Sequence, residues 1–425
     1  MKRNILPLLL VPAILSMGFL KWGENRKIVL LKVEGPLSKS QLGYNCIYDE
    51  GEGGKRVYSY AWGSYSIQCY SIPEGKSLFQ IKRTGGKGGY FLGHNFSVIG
   101  DINGDGFSEI ATPESWSKKE LLIFSGKEGR LFKRIKSPDL PYWSDSMKIL
   151  PADDFDGDGR GDFFVNFYKT LFLLSGKDMK CIRKITLPGV SMVSYIMITP
   201  DLDGDGKKDI IAMGKGASNN LFLAYISSQK GTILKSHYIR LKSGEYLRFT
   251  GSFLNDEKTP LLLSDIDGDG FPEVITTTRE EFTYQGETYS GSCLVSFSSS
   301  TGKEIWRIEG WKIPRKENLM FQFSSKIVYP DLNGDGIDEV IVAWRGEYIK
   351  KGDIATYFLI FSGKNGKLLW KRRIGEIKGC LPILYEVIPD MDGDGKKEIL
   401  MGSTEYDAGE KENTGGIFII SSLLF

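Results

Sequence analysis

Aspartate, glycine and a closing acid recur in a fixed nine-residue order at six places in this chain. The copies are DINGDGFSE from Asp101, DFDGDGRGD from Asp154, DLDGDGKKD from Asp201, DIDGDGFPE from Asp265, DLNGDGIDE from Asp331 and DMDGDGKKE from Asp390. Side-chain oxygens stand at positions one, three, five and nine. They belong to Asp101, Asn103, Asp105 and Glu109, then to Asp154, Asp156, Asp158 and Asp162, and then to Asp201, Asp203, Asp205 and Asp209. The later copies supply Asp265, Asp267, Asp269 and Glu273, then Asp331, Asn333, Asp335 and Glu339, and finally Asp390, Asp392, Asp394 and Glu398. Position seven offers its backbone carbonyl, from Phe107, Arg160, Lys207, Phe271, Ile337 and Lys396. Glycine at positions four and six lets the chain curl tightly. Hard oxygen donors on a tight loop suit Ca²⁺ better than Mg²⁺, which demands octahedral geometry and keeps its water. Carboxylates crowded in this way repel one another unless a cation sits among them. The expected chemistry is therefore capture of calcium, up to six ions, one per loop.

Other chemistries are poorly supplied. An EF-hand opens in the same way but needs a bidentate Glu at position twelve and flanking helices. Here position twelve is Thr112, Val165, Ala212, Thr276, Val342 or Met401, each inside an apolar run. Only two histidines occur, His94 and His237, which leaves little room for a Ser/His/Asp triad or a histidine-bound catalytic metal. No C-x-x-C pair exists among Cys46, Cys69, Cys181, Cys293 and Cys380, so a zinc site is not expected. Cys46 and Cys69 are close enough in sequence to share one sheet, and one disulfide between them is an open alternative to two small buried hydrophobes.

The elements that must position the loops repeat with them. Before each loop lies a short apolar run such as FSVIG, YIMITP or KIVYP, and after it another such as FFVNF, IIAMG or VIVAW. These have strand length and β-branched or aromatic content. A second hairpin follows, as in LLIFSGKEGRLFKRI or YFLIFSGKNGKLLWKRR, with glycine in the turn. One unit is strand, acidic loop, strand, loop, strand, turn, strand, which is a four-stranded propeller blade. SIQCYSIPEGKSLFQIK, preceded by YDEGEGGKRVYSY, reads as a further blade whose acidic loop has decayed. The expected fold is all-β, a seven-bladed β-propeller of antiparallel four-stranded blades at about 41–85, 94–137, 146–188, 193–243, 247–313, 320–373 and 380–425. The last copy ends after its third strand, so RKIVLLKVEG at 26–35 is expected to supply the fourth and close the ring. Lys and Arg on the outer strands, such as Lys133–Arg134 and Lys371–Arg373, resist edge-to-edge pairing without any binding role.

On the motif D-x-[DN]-G-D-G-x-x-[DE] and this blade pattern, residues 26–425 resemble the FG-GAP/VCBS repeat family, the propellers of integrin α chains and many prokaryotic surface proteins. The resemblance implies that the acidic loops cap one face and that ligands meet the other. The Phe-Gly and Gly-Ala-Pro elements of the family are mostly absent, since Phe96 is followed by Ser97 and IATPES stands where Gly-Ala-Pro belongs. An integrin-like mode of ligand binding is therefore not carried over.

Residues 1–20 combine Lys2 and Arg3 with the uncharged run Ile5–Leu20. That pattern reads as a signal peptide, with an uncleaved N-terminal anchor as the competitor. The chain is expected at the cell surface or secreted, touching a membrane only through that segment. With 55 Lys+Arg against 53 Asp+Glu the net charge is +2, so a nucleic-acid partner is not expected. Loading six divalent ions makes the chain strongly positive, which favours anionic partners. The leading reading is a calcium-binding adhesion module for a glycan or protein. Its candidate ligand-face aromatics are Trp62, Trp116, Trp143, Trp311, Trp344, Tyr348 and Tyr406, each of which competes with burial between blades. A propeller-type polysaccharide lyase is the alternative, although no acid, base or nucleophile set stands out. A quinoprotein is less favoured, because only Trp306 and Trp370 fit the tryptophan docking pattern of those propellers.

Overall fold

The apolar runs that flank the acidic loops are strands, and they pair in fours. In the computed structural model the described residues are 29–34, 44–61, 64–82, 95–114, 120–136, 147–216, 220–242, 245, 260–284, 287–310, 322–350, 353–378, 380–405 and 416–421. The proposed leader at 1–20 lies outside them. Among the described residues no helix is long and apolar enough to cross a membrane.

Seven four-stranded antiparallel sheets form the molecule. Blade 1 contains β2 (Tyr44–Gly51), β3 (Gly54–Ala61), β4 (Ser66–Ser71) and β5 (Ser77–Lys82). Blade 2 has β6 (Ser97–Val98) to β9 (Leu131–Lys136), and blade 3 has β10 (Ile149–Pro151) to β13 (Cys181–Thr186). Blade 4 has β14 (Val190–Thr199) to β17 (Ile233–Ile239), and blade 5 has β18 (Leu261–Leu263) to β21 (Glu304–Glu309). Blade 6 runs from β22 (Gln322–Tyr329) to β25 (Leu368–Lys378). Blade 7 takes β26 (Cys380–Ile388), β27 (Glu398–Glu405) and β28 (Gly416–Ile420), and its outermost strand is β1 (Val29–Glu34). β1 lies antiparallel to β28, from Val29 opposite Ile420 to Glu34 opposite Gly416. The ring is thus closed by joining the two ends of the chain, which leaves no sheet waiting for a strand.

Burial follows strand position. The middle strands of blade 3, FFVNF and TLFLL, are almost wholly buried, whereas its outer strand CIRKIT buries only Ile185 and leaves Cys181, Lys184 and Thr186 exposed. The core is divided into seven apolar clusters, one at each seam between neighbouring blades. Leu31 and Val33 of β1 belong to the cluster that joins blades 7 and 1. Cys46 faces that same seam, while Cys69 faces the seam between blades 1 and 2. The two thiols therefore lie on opposite faces of one sheet, and both are free. The disulfide alternative is excluded by strand alternation, and the pair are the small buried hydrophobes of the other reading.

The innermost strands of blades 1, 2, 3 and 7 border a cavity of about 240 Å³, lined by Asn45, Ile47, Asn95, Lys148, Tyr385 and Glu386 among others. Glu386 accepts a hydrogen bond from the Tyr48 N–H, yet burial pushes its carboxyl up to about 7, with the charge of Asp49 adding to the shift. The folded chain therefore holds a proton that the unfolded chain, with an ordinary glutamate near 4.5, has released. This contribution to stability is complete below pH about 4.5 and is lost as pH rises through about 7. Glu386→Gln keeps the acceptor and removes the charge. The variant is expected to melt with the parent at pH 4 and above it at pH 8. A difference that is the same at both pH values would refute the assignment.

Candidate metal centres

All six acidic nonapeptides connect the innermost strand of a blade to its second strand, so they share one face of the ring. Each is built on its first aspartate. In the second copy, Asp154 Oδ1 accepts the N–H groups of Gly157 (2.7 Å) and Asp158 (3.1 Å), and Oδ2 accepts that of Gly159 (2.8 Å). The two glycine bonds recur at Asp101, Asp201, Asp265, Asp331 and Asp390. The N–H of the position-six glycine is the main influence that holds Asp154, Asp201, Asp331 and Asp390 below the usual carboxylate range. Both glycines of every loop have positive φ, from 75° to 86°, a region that side chains with a Cβ rarely enter. The position-seven N–H donates to the position-five carboxylate in every copy, as from Arg160 to Asp158 (3.0 Å).

Position nine closes the loop from below. Its carboxylate accepts the N–H of position two in all six copies: Ile102, Phe155, Leu202, Ile266, Leu332 and Met391. All six position-nine residues are fully buried. Burial pushes Glu273 up to about 8 and Glu109 and Glu398 up to about 7, with the neighbouring loop carboxylates adding to the shift. Acidic oxygens converge above. In the fourth copy Asp265, Asp267, Asp269 and Glu273 place ligand atoms within 4.8 Å of one another, as do Asp390, Asp392, Asp394 and Glu398 in the sixth. In the first copy Asp101, Asp105 and Glu109 converge, and in the second Asp154, Asp156 and Asp162. All are hard oxygen donors, a set that fits a calcium ion.

The remaining oxygen of position nine is satisfied differently from loop to loop. Glu109 Oε1 and Glu339 Oε1 accept the side-chain amides of Asn103 and Asn333. Asp162 Oδ1 and Asp209 Oδ1 accept the N–H groups of Gly176 and Ser228. Glu273 Oε1 and Glu398 Oε1 are buried and have no hydrogen-bond partner.

Two features of the loops were not anticipated from the motif. Position two is apolar in every copy, and its side chain joins the cluster at the seam with the following blade. The signal was present in the sequence as Ile, Phe, Leu, Ile, Leu and Met. Position seven gives more than a carbonyl in most copies, where its side chain leans on the preceding blade. Lys207 Nζ donates to the Asp154 carbonyl (2.8 Å), the Arg160 guanidinium covers Gly104, and Phe107 covers Gly53. Phe271 stacks near Tyr225, at 4.9 Å between centroids. The S-G-K turn also has a second task. A Cβ on Gly126 would lie 1.8 Å from the Ser108 carbonyl of the acidic loop, so glycine permits the turn to rest on the loop. Where serine replaces it, the Ser228 and Ser299 hydroxyls donate to the matching carbonyls of Lys208 and Pro272 (2.6 Å each).

Of the aromatic candidates for a ligand face, only Trp344 has a described side chain. Trp62, Trp116, Trp143, Trp311 and Tyr406 lie outside the described residues, and Tyr348 falls within β23 (Glu339–Lys350). Trp344 is 0 % exposed in the seam between blades 5 and 6, near Tyr357, so it is a packing residue. Its place in an apolar strand, VIVAW, gives the physical reason: a strand residue facing a seam has no path to solvent. Trp306 is also buried, and its indole N–H donates to the Gly363 carbonyl of the next blade (2.6 Å).

The chain is therefore a seven-bladed β-propeller with six acidic loops on one face. No family model matches it, and no curated protein matches it. Among solved structures it is similar to one described as BBS1N in complex with ARL6DN, soaked with lead. The identity is 10%, over 93% of this chain and 97% of that chain, with a TM-score of 0.48.

Proposed function

We propose that this chain is a calcium-loaded binding module of the FG-GAP/VCBS kind, exported to the cell surface, with an anionic glycan or acidic protein as its ligand. The observation that carries the calcium reading is the pair of buried, unpartnered oxygens, Glu273 Oε1 and Glu398 Oε1, each within a cluster of four carboxylates. A buried acceptor without a donor is costly, and a cation among the four groups removes that cost. The propeller fold supports a binding role, since its loops present side chains from many blades on a rigid ring. Calcium loading turns a chain of net charge +2 strongly positive, which supports an anionic partner.

The test is retention on immobilised heparin. The full chain is expected to bind in millimolar calcium, to elute with salt, and to lose retention when calcium is chelated. Equal retention in chelator, with the circular dichroism of the fold unchanged, would refute the reading.

A further inference from the structure

We propose that the six loops are unequal cation sites: the loops from Asp265 and Asp390 depend on a bound divalent ion, whereas the loop from Asp201 carries a built-in substitute, the ammonium of Lys230. This inference rests on the calcium reading above and adds which loops need the ion and which residue replaces it.

The loops sort by positions three and nine. Asp with Glu occurs at Asp267 and Glu273 and at Asp392 and Glu398, and these are the two loops whose buried glutamate oxygen has no partner. Asn with Glu occurs at Asn103 and Glu109 and at Asn333 and Glu339. There an amide hydrogen takes the place that a cation would fill. Asp with Asp occurs at Asp156 and Asp162 and at Asp203 and Asp209. The shorter position-nine side chain is held at both oxygens by backbone N–H groups and leaves none over.

Lys230 separates the last two loops. It sits in the turn between β16 (Leu221–Ile226) and β17 (Ile233–Ile239), one residue before the turn glycine. Its Nζ lies 2.8 Å from Asp203 Oδ2 and 3.9 Å from Asp205 Oδ2. These are the position-three and position-five carboxylates that a loop cation would bridge. The equivalent turn residues of the neighbouring blades are Glu128, Asp178, Thr301 and Asn365, none of which carries a positive charge. An ammonium is a compact point charge with three donors, so it neutralises these oxygens from the direction in which an ion would be held.

The test counts calcium ions on the full chain by native mass spectrometry in calcium chloride, with thermal melts alongside. Lys230→Gln is expected to bind one calcium more than the parent at the same free concentration, and Lys230→Arg to match the parent. The double variant Glu273→Gln, Glu398→Gln is expected to bind two fewer. In chelator it should melt at or above the parent, because the neutral amides need no cation beside them, and it should gain less from calcium. A Lys230→Gln count equal to the parent's, with the parent itself binding calcium, would overturn the inference and leave the calcium reading standing. An absence of bound calcium in the parent and every variant would overturn both.

Discussion

Calcium is expected to raise the melting temperature of the chelated chain, with a gain that grows with free ion. A ligand that binds only the folded state adds RT ln(1 + [L]/Kd) per site. Calcium sites of extracellular modules bind at about 10⁻⁴–10⁻³ M. At 1 mM free calcium each such site then contributes roughly 0.4–1.4 kcal/mol. Two loaded loops give about 1–3 kcal/mol, and all five loops without a built-in ammonium give about 2–7 kcal/mol. Magnesium at the same concentration should do less, because its small octahedral shell fits these loops poorly. Differential scanning calorimetry in calcium, magnesium and chelator makes the comparison. Coincident melts in calcium and chelator would end the calcium reading, because ions that bind the folded loops must stabilise them. The effect should saturate with calcium, which separates site binding from a general salt effect.

Removal of the N-terminal strand is expected to lower stability by an amount similar to the loss of two bound ions, or by more. β1 is the fourth strand of blade 7, and its Leu31 and Val33 fill the seam with blade 1. Burial of two such side chains is worth about 3–6 kcal/mol. Its loss also bares β28, whose sequence GIFII is almost wholly buried in the intact chain. An apolar strand with open hydrogen-bonding groups recruits other chains. A chain that starts at residue 35 should therefore melt well below one that starts at residue 26, and should associate as it is concentrated. The milder Leu31→Asp, Val33→Asp variant keeps the backbone bonds of β1 and should fall between them. Equal melting of the two truncations, with both monomeric by sedimentation, would show that β1 does not close the ring.

The architecture was legible because each blade repeats its message. The apolar runs around Asp154 or Asp331 have strand length, the glycines punctuate them, and RKIVLLKVEG stood unpaired beside a final blade short of one strand. The positions of the loop oxygens were legible as well, since a nine-residue motif fixes local backbone. What could not be read depends on where separate blades or hairpins meet. Lys230 reaches Asp203 across 27 residues, and nothing in the SSQKG turn announces an ion pair. The difference between Glu273, whose Oε1 has no hydrogen-bond partner, and Glu109, whose Oε1 is capped by Asn103, turns on one oxygen. On sequence grounds Trp344 suits a ligand face and Cys46 a disulfide, because aromatic and thiol side chains fit both surface and core. Only the seam each one faces decides the matter. The S-G-K glycine was read as a turn residue, and its close approach to the Ser108 carbonyl appears only when the blade is assembled.

The lean of position seven on the blade before, and of position two into the seam after, overlaps the loops like roof tiles laid in one direction. A tile cannot be lifted without disturbing the course on either side. A station that makes both contacts therefore clamps two joints of the wheel at once, and disturbing it relaxes a wider sector than its own. The overlap also has a hand. A perturbation that starts at the Asp201 station reaches the Asp154 station through a direct Lys207 bond, and passes forward through the apolar packing of Leu202.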